Sequence, residues 1–317
     1  MIKLTNLSAN YTTVRGTVTA VNNVNLEIPD GITLGIAGES GCGKTTLLKV
    51  IYGDIGFPLS IESGSVDYGL TDEYDELITT YNIQKHWFHR ITYIPQGSMS
   101  SLNPVVRINA QFFDFIKSRS QRRRMLEEVR EYVKGLGLPP EAIDAYPHQL
   151  SGGMRQRVMV AMASFLKPDL ILADEPTTAL DVVVQKGILL LLMDLQEQMK
   201  STILFVSHDM GVHYQISHKM FIMYAAKGVE YGDSKNVFER PLHPYTRLLT
   251  ESLPTIGDAH LRKGVAGRPP SLWEKLIGCR FADRCPYVTE YCRTDEPAFT
   301  EYRPGHFAAC HYSERFL

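Results

Sequence analysis

Long hydrophobic runs are missing from this chain of 317 residues. The longest, residues 187–193 and 158–163, are far shorter than the ~20 apolar residues that span a bilayer. Residues 1–13 show no basic stretch followed by an apolar core, so no secretory signal is expected. A dominant charge is missing too: 33 Lys and Arg stand against 35 Asp and Glu, for a net charge of -2. That balance removes any global electrostatic reason to bind nucleic acid or acidic lipid. There is no internal repeat and no low-complexity tract. Cysteine is scarce, five in all, yet Cys279, Cys285, Cys292 and Cys310 crowd the end of the chain. What remains, 44% hydrophobic and 21% charged, is the composition of a globular protein with a large core. The length allows roughly two domains.

Short apolar runs alternate with helical patterns, which predicts an α/β domain with a largely parallel sheet. Val24, Leu26 and Ile28 alternate with polar residues as in a strand, and Pro29-Asp30-Gly31 turns the chain. Ile32, Leu34 and Ile36 form the next strand, which runs into a glycine-rich loop and a helix start at Thr45-Thr46-Leu47-Leu48. Residues 170–173 and 203–206 are continuously apolar, as strands buried on both faces are, and ligands bind at the carboxyl ends of such strands. Residues 98–150, rich in helix formers, read as a helical subdomain inserted into the sheet domain. The basic run 118–124 is followed by Glu127, Glu128 and Glu131 at helical spacing, which favours a solvated helix face over a binding patch. From Pro241 onward Pro, Gly, Arg and Cys dominate, and a small second domain is expected to start between about 240 and 262.

Gly38-Glu39-Ser40-Gly41-Cys42-Gly43-Lys44-Thr45 fits G-x-x-x-x-G-K-[ST] between a strand and a helix. Glycines let backbone N–H groups turn inward around phosphate oxygens, and the helix start adds its partial positive charge. Lys44 is expected to meet the β- and γ-phosphates, and Thr45 to ligate Mg²⁺. Asp174 and Glu175, at the end of the apolar run 170–173, supply a carboxylate for Mg²⁺ and a general base for the attacking water.

Leu150-Ser151-Gly152-Gly153-Met154-Arg155-Gln156 resembles the signature of ATP-binding cassette (ABC) ATPases. The resemblance implies a P-loop ABC-type nucleotide-binding domain, and it extends in order along residues 1 to about 240. It implies adenine stacking by Tyr11, a Mg²⁺-sensing glutamine at Gln96 that meets the transmembrane partner, and a dimer-contacting loop at Ala179-Leu180-Asp181. It also implies a switch histidine at His208. Gly38, Ser40, Gly41, Cys42, Gly43, Lys44, Thr45 and Thr46 would hold ATP. Ser151, Gly152, Gly153, Gln156 and Asp181 would complete the site across a dimer, with Lys44, Gln96, Glu175 and His208 carrying the chemistry. Mg²⁺ would lie among Thr45, Gln96 and Asp174. Cys42 itself reads as a small filler within the loop.

Arg240-Pro241-Leu242-His243-Pro244-Tyr245, Gly267-Arg268-Pro269-Pro270 and Gly278-Cys279-Arg280-Phe281 resemble the tail of ATP-binding subunits from oligopeptide/dipeptide importers. The expected division is therefore 1–240, a nucleotide-binding domain, and 241–317, a small irregular cysteine-containing domain. The cysteine spacing C-x₅-C-x₆-C-x₁₇-C leaves several readings open. Disulfides are disfavoured in a reducing cytosol. Zinc, with His306 and His311 as spare ligands, lacks the usual C-x₂₋₄-C knuckle. Unligated core thiols remain an alternative. A [4Fe–4S] cluster needs four thiolates, Arg280, Arg284 and Arg293 could offset its charge, and the resemblance implies such a cluster on Cys279, Cys285, Cys292 and Cys310.

The function implied is ATP hydrolysis that powers import through an ABC transporter, from the cytoplasmic face of the membrane. The implied partners are a second ATPase subunit, more often a different chain than a second copy, two transmembrane permease subunits and an external solute-binding protein. No nucleic acid is implied. Peptide is the first expectation for the cargo, oligosaccharide or nickel the second. A soluble ABC ATPase acting on nucleic acid or ribosomes is disfavoured by the single cassette and the near-neutral charge.

Overall fold

The structure is a computed structural model that describes residues 1–97, 101–115, 119–178, 180–253, 264–274 and 276–317. It divides into two compact units, one formed by residues 1–84 with 205–317 and the other by residues 85–204.

The first unit begins with β1 (Ile2–Thr13) and β2 (Gly16–Ile28), an antiparallel pair in register Ile2↔Ile28 and Leu4↔Leu26. Alternation puts Leu4, Val24, Leu26 and Ile28 on the buried face. Then comes β3 (Thr33–Ala37), buried at every position, and it delivers the chain into α1 (Lys44–Tyr52). Next, β4 (Leu59–Thr71) pairs with β1, and β5 (Leu77–Thr79) pairs with β4.

The second unit carries β6 (Ile91–Ile94), α2 (Ile108–Phe112), α3 (Arg119–Gly135), α4 (Gly152–Ser164), β7 (Leu170–Asp174) and α5 (Val182–Met199). Here β6 and β7 run parallel, Ile91 opposite Leu170 and Ile94 opposite Ala173. The helix-rich stretch expected over 98–150 holds α2 and α3, although its first residues, 98–100, lie outside the described residues. Of the basic run, residue 118 also lies outside them. Arg124 is exposed and pairs with Glu128 one turn on, as a solvated helix face requires.

The chain returns to the first unit through β8 (Thr202–Val206), followed by α6 (Met210–Ile216), β9 (Lys219–Tyr224), β10 (Lys227–Asp233), α7 (Ser234–Glu239) and α8 (Pro244–Glu251). Beyond them lie α9 (Glu290–Thr294), β11 (Thr300–Arg303) and β12 (His306–Ala308). In this unit β9 lies parallel to β3, β10 antiparallel to β9, and β12 antiparallel to β10. The tail thus contributes strands to the same sheet as β3, the strand that leads into the glycine-rich loop. One buried carboxylate fastens it: Glu230 on β10 accepts hydrogen bonds from the Leu242 and His243 amides at 2.8 and 2.9 Å and lies 2.8 Å from His306 Nε2 on β12. Tyr245 and Phe281 from the tail share a core cluster with Ile222 and Tyr224 of β9.

Candidate active site

In the first unit the glycine-rich loop joins β3 to α1, and its glycines are there by necessity. Gly38 has φ 148 and Gly43 φ 108, values that favour glycine. A Cβ at Gly38 would stand 2.1 Å from the Met223 carbonyl oxygen, and one at Gly43 2.1 Å from that of Ala20. Lys44 is buried, and its Nζ donates to the carbonyl oxygens of Gly38 and Glu39 at 2.7 and 3.0 Å. The charge that the motif reserves for phosphate is thereby satisfied by the loop itself. Cys42 is buried beside it, and desolvation pushes its thiol pKa up, which suits a packing residue. Ser40 and Gly41 are exposed, Thr45 is half-buried and Thr46 is buried. Tyr11 on β1 lies 3.5 Å, hydroxyl to hydroxyl, from Thr46 in the first turn of α1.

His208 is exposed just past β8, at the carboxyl end of a fully buried strand. Asp209 beside it caps α6 by accepting from the Gly211 and Val212 amides. His213, on that helix, is wholly buried with Nε2 3.1 Å from the Ser207 carbonyl. Burial lowers its pKa to about 4, so the ring is neutral.

In the second unit three of the expected residues come together at the ends of β6 and β7. Asp174 is buried and accepts from the Tyr93 hydroxyl at 2.8 Å. Glu175 Oε2 accepts from Gln96 Nε2 at 3.1 Å and from Thr178 Oγ1 at 2.9 Å. Glu175 also has φ 48, a left-handed conformation costly for a side chain with a Cβ. The turn that strains its backbone leaves its carboxylate aimed by two side-chain donors. Neither Tyr93 nor Thr178 was legible as a site residue. Thr178 lies one turn past Glu175, a spacing that could have flagged it, whereas nothing in the sequence marks Tyr93.

The signature region lies in the same unit. Ser151 is exposed and caps α4, accepting from the Met154 amide at 3.3 Å. That puts a hydroxyl and the helix's open amides at one accessible point. Gly153 packs closely on α5, where a Cβ would stand 2.9 Å from the Val184 side chain and displace it. Gln156 is buried at 2% exposure, which turns its side chain into the protein. Asp181 caps α5 through the Val183 and Val184 amides, while Ala179 lies outside the described residues.

The four tail cysteines, all free, line one cavity with Phe281, His311 and Tyr312. Burial pushes the Cys279 thiol up to about 12 and raises those of Cys285 and Cys310, with the neighbouring thiols acting in the same direction. Among the described residues no three of His, Cys, Asp and Glu stand close enough to share one metal ion. Of the expected helpers, His311 lines the cavity and the others lie elsewhere. His306 is engaged with Glu230, and Arg284 and Arg293 bind Glu39 and Asp283. Arg280 bonds the Ala225 carbonyl, and none of the three arginines lines the cavity.

Among the described residues no helix is long and apolar enough to cross a membrane. Residues 21–178 match the ABC transporter family, and residues 229–292 match the oligopeptide/dipeptide transporter C-terminal region. The chain is 38% identical over 298 residues to the probable peptide ABC transporter ATP-binding protein y4tR of Sinorhizobium fredii, covering 92% of this chain and 88% of that one. It is 34% identical to the dipeptide transport ATP-binding protein DppD of Escherichia coli K12, over 98% of this chain and 96% of the relative. The oligopeptide transport protein OppD of the same organism is 36% identical, over 98% and 92%. Among solved structures, the dimeric bacterial ABC transporter cassette MJ0796 superposes with a TM-score of 0.61 at 28% identity, over 74% of this chain and 99% of that one. Its post-hydrolysis dimer bound to ADP and Pi gives 0.60 at 27% identity.

Proposed function

The chain belongs to the ABC transporter ATPases, in the oligopeptide/dipeptide branch, and from that membership we propose that it powers import of peptides across a membrane. What supports this reading is a glycine-rich loop with a buried lysine and a carboxylate held by Gln96 and Thr178, in a chain that also matches the oligopeptide/dipeptide tail. The names of the relatives favour peptide over oligosaccharide or nickel. We read residues 1–240 as the nucleotide-binding domain and 241–317 as the appended domain.

ATP would lie with its phosphates in the loop 38–45, where Lys44 exchanges two carbonyl partners for phosphate oxygens and Tyr11 stacks on the base. Asp174, Thr45 and Gln96 would hold Mg²⁺, which when bound neutralises charge on the phosphates. Glu175 takes a proton from the attacking water, and Gln96 and Thr178 fix the carboxylate's direction for that step. His208 reads the γ-phosphate. Ser151, Gly152 and Gly153, with Asp181, cap the nucleotide of a partner cassette, so that ATP joins two cassettes and hydrolysis parts them. The buried Gln156 supports the signature helix from within. The partners are a second, related ATPase subunit, two permease subunits and an external solute-binding protein, and the chain works peripherally at the cytoplasmic face.

We read the tail cysteines as the ligands of a [4Fe–4S] cluster, with zinc or unligated thiols as the alternatives. What supports the reading is that the four thiols line one cavity, and a multi-iron cluster takes four thiolates. Cys279, Cys285, Cys292 and Cys310 would hold it, and it would cross-link four points of a loop-rich tail. Anaerobically purified protein should then carry about four irons per chain. Stoichiometric zinc without iron would overturn this assignment.

The transport reading is tested by purifying the tagged chain from membranes and reconstituting what accompanies it into vesicles. Two permease chains and a second cassette should co-purify, and peptide-loaded solute-binding protein should raise ATP hydrolysis. Stimulation by a sugar-loaded protein alone would refute the peptide cargo. Association with ribosomes or DNA in place of permeases would refute the transporter role.

A further inference from the structure

Glu39 is a variable position of the phosphate loop, and the motif asks nothing of it. In this fold each of its polar groups is nevertheless bonded. Its carbonyl accepts from Lys44 Nζ at 3.0 Å. Its amide donates to the hydroxyl of Tyr245, 206 positions later in the sequence, at 2.9 Å. Its carboxylate takes both terminal nitrogens of Arg284, at 2.7 and 2.8 Å. Two of these three anchors come from the tail.

Arg284 is built for one task. Its side chain is 5% exposed, and its other bonds go to the Tyr224 hydroxyl, the Val265 carbonyl and the Ala266 carbonyl. The rings of Tyr224 and Phe281 flank its guanidinium. A planar fork saturated in this way has a single orientation, and a bidentate carboxylate pair transmits that orientation to its partner. Tyr245 is wholly buried, and burial raises its pKa, so the hydroxyl that accepts from Glu39 stays un-ionised.

We propose that Arg284, assisted by Tyr245, is a positioning residue for ATP hydrolysis: it acts through Glu39 to hold the phosphate loop in its nucleotide-receiving shape. The tail is then part of the nucleotide site's architecture. Arg284 touches no phosphate. It fixes the peptide whose carbonyl Lys44 must leave when phosphate arrives, so its loss should weaken nucleotide capture and spare the chemical step.

The inference rests on residues 38–45 being the nucleotide loop, and the experiment separates the two. In the full chain, Glu39→Gln and Arg284→Lys keep size and break the bidentate pair. Each should raise KM for ATP and Kd for a fluorescent ATP analogue about tenfold, the weight of one charge-assisted hydrogen bond, with kcat little changed. The double variant should be no worse than either single one, because both remove the same contact. Tyr245→Phe should show the same pattern more weakly. An unchanged KM with a lower thermal midpoint would overturn the proposal, leaving the pair a purely structural staple. Additive effects in the double variant would overturn it too. If Lys44→Ala also retained nucleotide affinity, the loop assignment itself would have failed.

Discussion

The two units solve the same problem, holding charged groups ready, by opposite means. In the first, conformation does it. Gly38 and Gly43 are bent where a side chain would collide with backbone, and Lys44 waits on its own loop's carbonyls. In the second, side chains do it. Asp174 is held by Tyr93, and Glu175 by Gln96 and Thr178, across the ends of two parallel strands. On the proposed roles, binding rests on backbone shape and hydrolysis on a few removable hydrogen bonds. The contrast predicts that affinity and turnover fail separately.

The sharpest break is Glu175→Gln, which removes the proposed base and keeps an acceptor oxygen for both donors. Phosphate release should fall about 10²–10⁴-fold with nucleotide affinity nearly intact. Near-normal turnover would show that Glu175 is not the base. Lys44→Ala should do the reverse and weaken ATP binding roughly 10–100-fold in a direct titration, since bonds to a charged group carry ~1.5–3 kcal/mol. A deficit confined to turnover would erase the division between the units. Tyr93→Phe removes one hydrogen bond from a buried carboxylate. Turnover at limiting Mg²⁺ should drop by about fivefold, recovering as magnesium is raised, and a loss that magnesium does not relieve would place Tyr93 outside the metal's shell.

The smallest effect concerns acid. His213 is neutral in the fold with a pKa near 4, against about 6.5 for a free histidine, so the unfolded chain binds the extra proton. Its contribution to stability is complete above pH 6.5 and is lost as pH falls toward 4. Asp209 pulls the pKa up, while Lys44 and His208 push it down, all weaker than burial. Urea unfolding should show a shallower pH slope for His213→Gln across that window, and an identical slope would exclude the ring as the titrating group.

Much of this was legible because the chemistry is local in sequence. The loop 38–45, the acidic pair at the end of β7 and the histidine after β8 each sit at a strand's carboxyl end, and strand ends are where a parallel sheet presents its ligands. The helical content of 98–150 was likewise readable from composition. What stayed hidden is what the fold brings from afar. Tyr93 reaches Asp174 from 81 positions away and Arg284 reaches Glu39 from 245, and no periodicity encodes such meetings. The same limit explains the misplaced arginines. Residues near the cysteines in sequence looked like charge partners for a cluster, yet in space they serve the phosphate loop, a neighbouring carbonyl and an exposed aspartate.

Glu230 sets a timetable. Synthesis proceeds at ~5–20 residues per second, so a nascent chain waits roughly 4–15 s between making this carboxylate and making His306, 76 positions later. Through that interval β10 lacks the strand that later borders it, and a carboxylate destined for burial lacks one of its three partners. An open strand edge beside an unsatisfied charge invites wrong pairing. The newborn cassette is thus most exposed to misassembly just before its tail arrives, and the last strands added are the ones that close it.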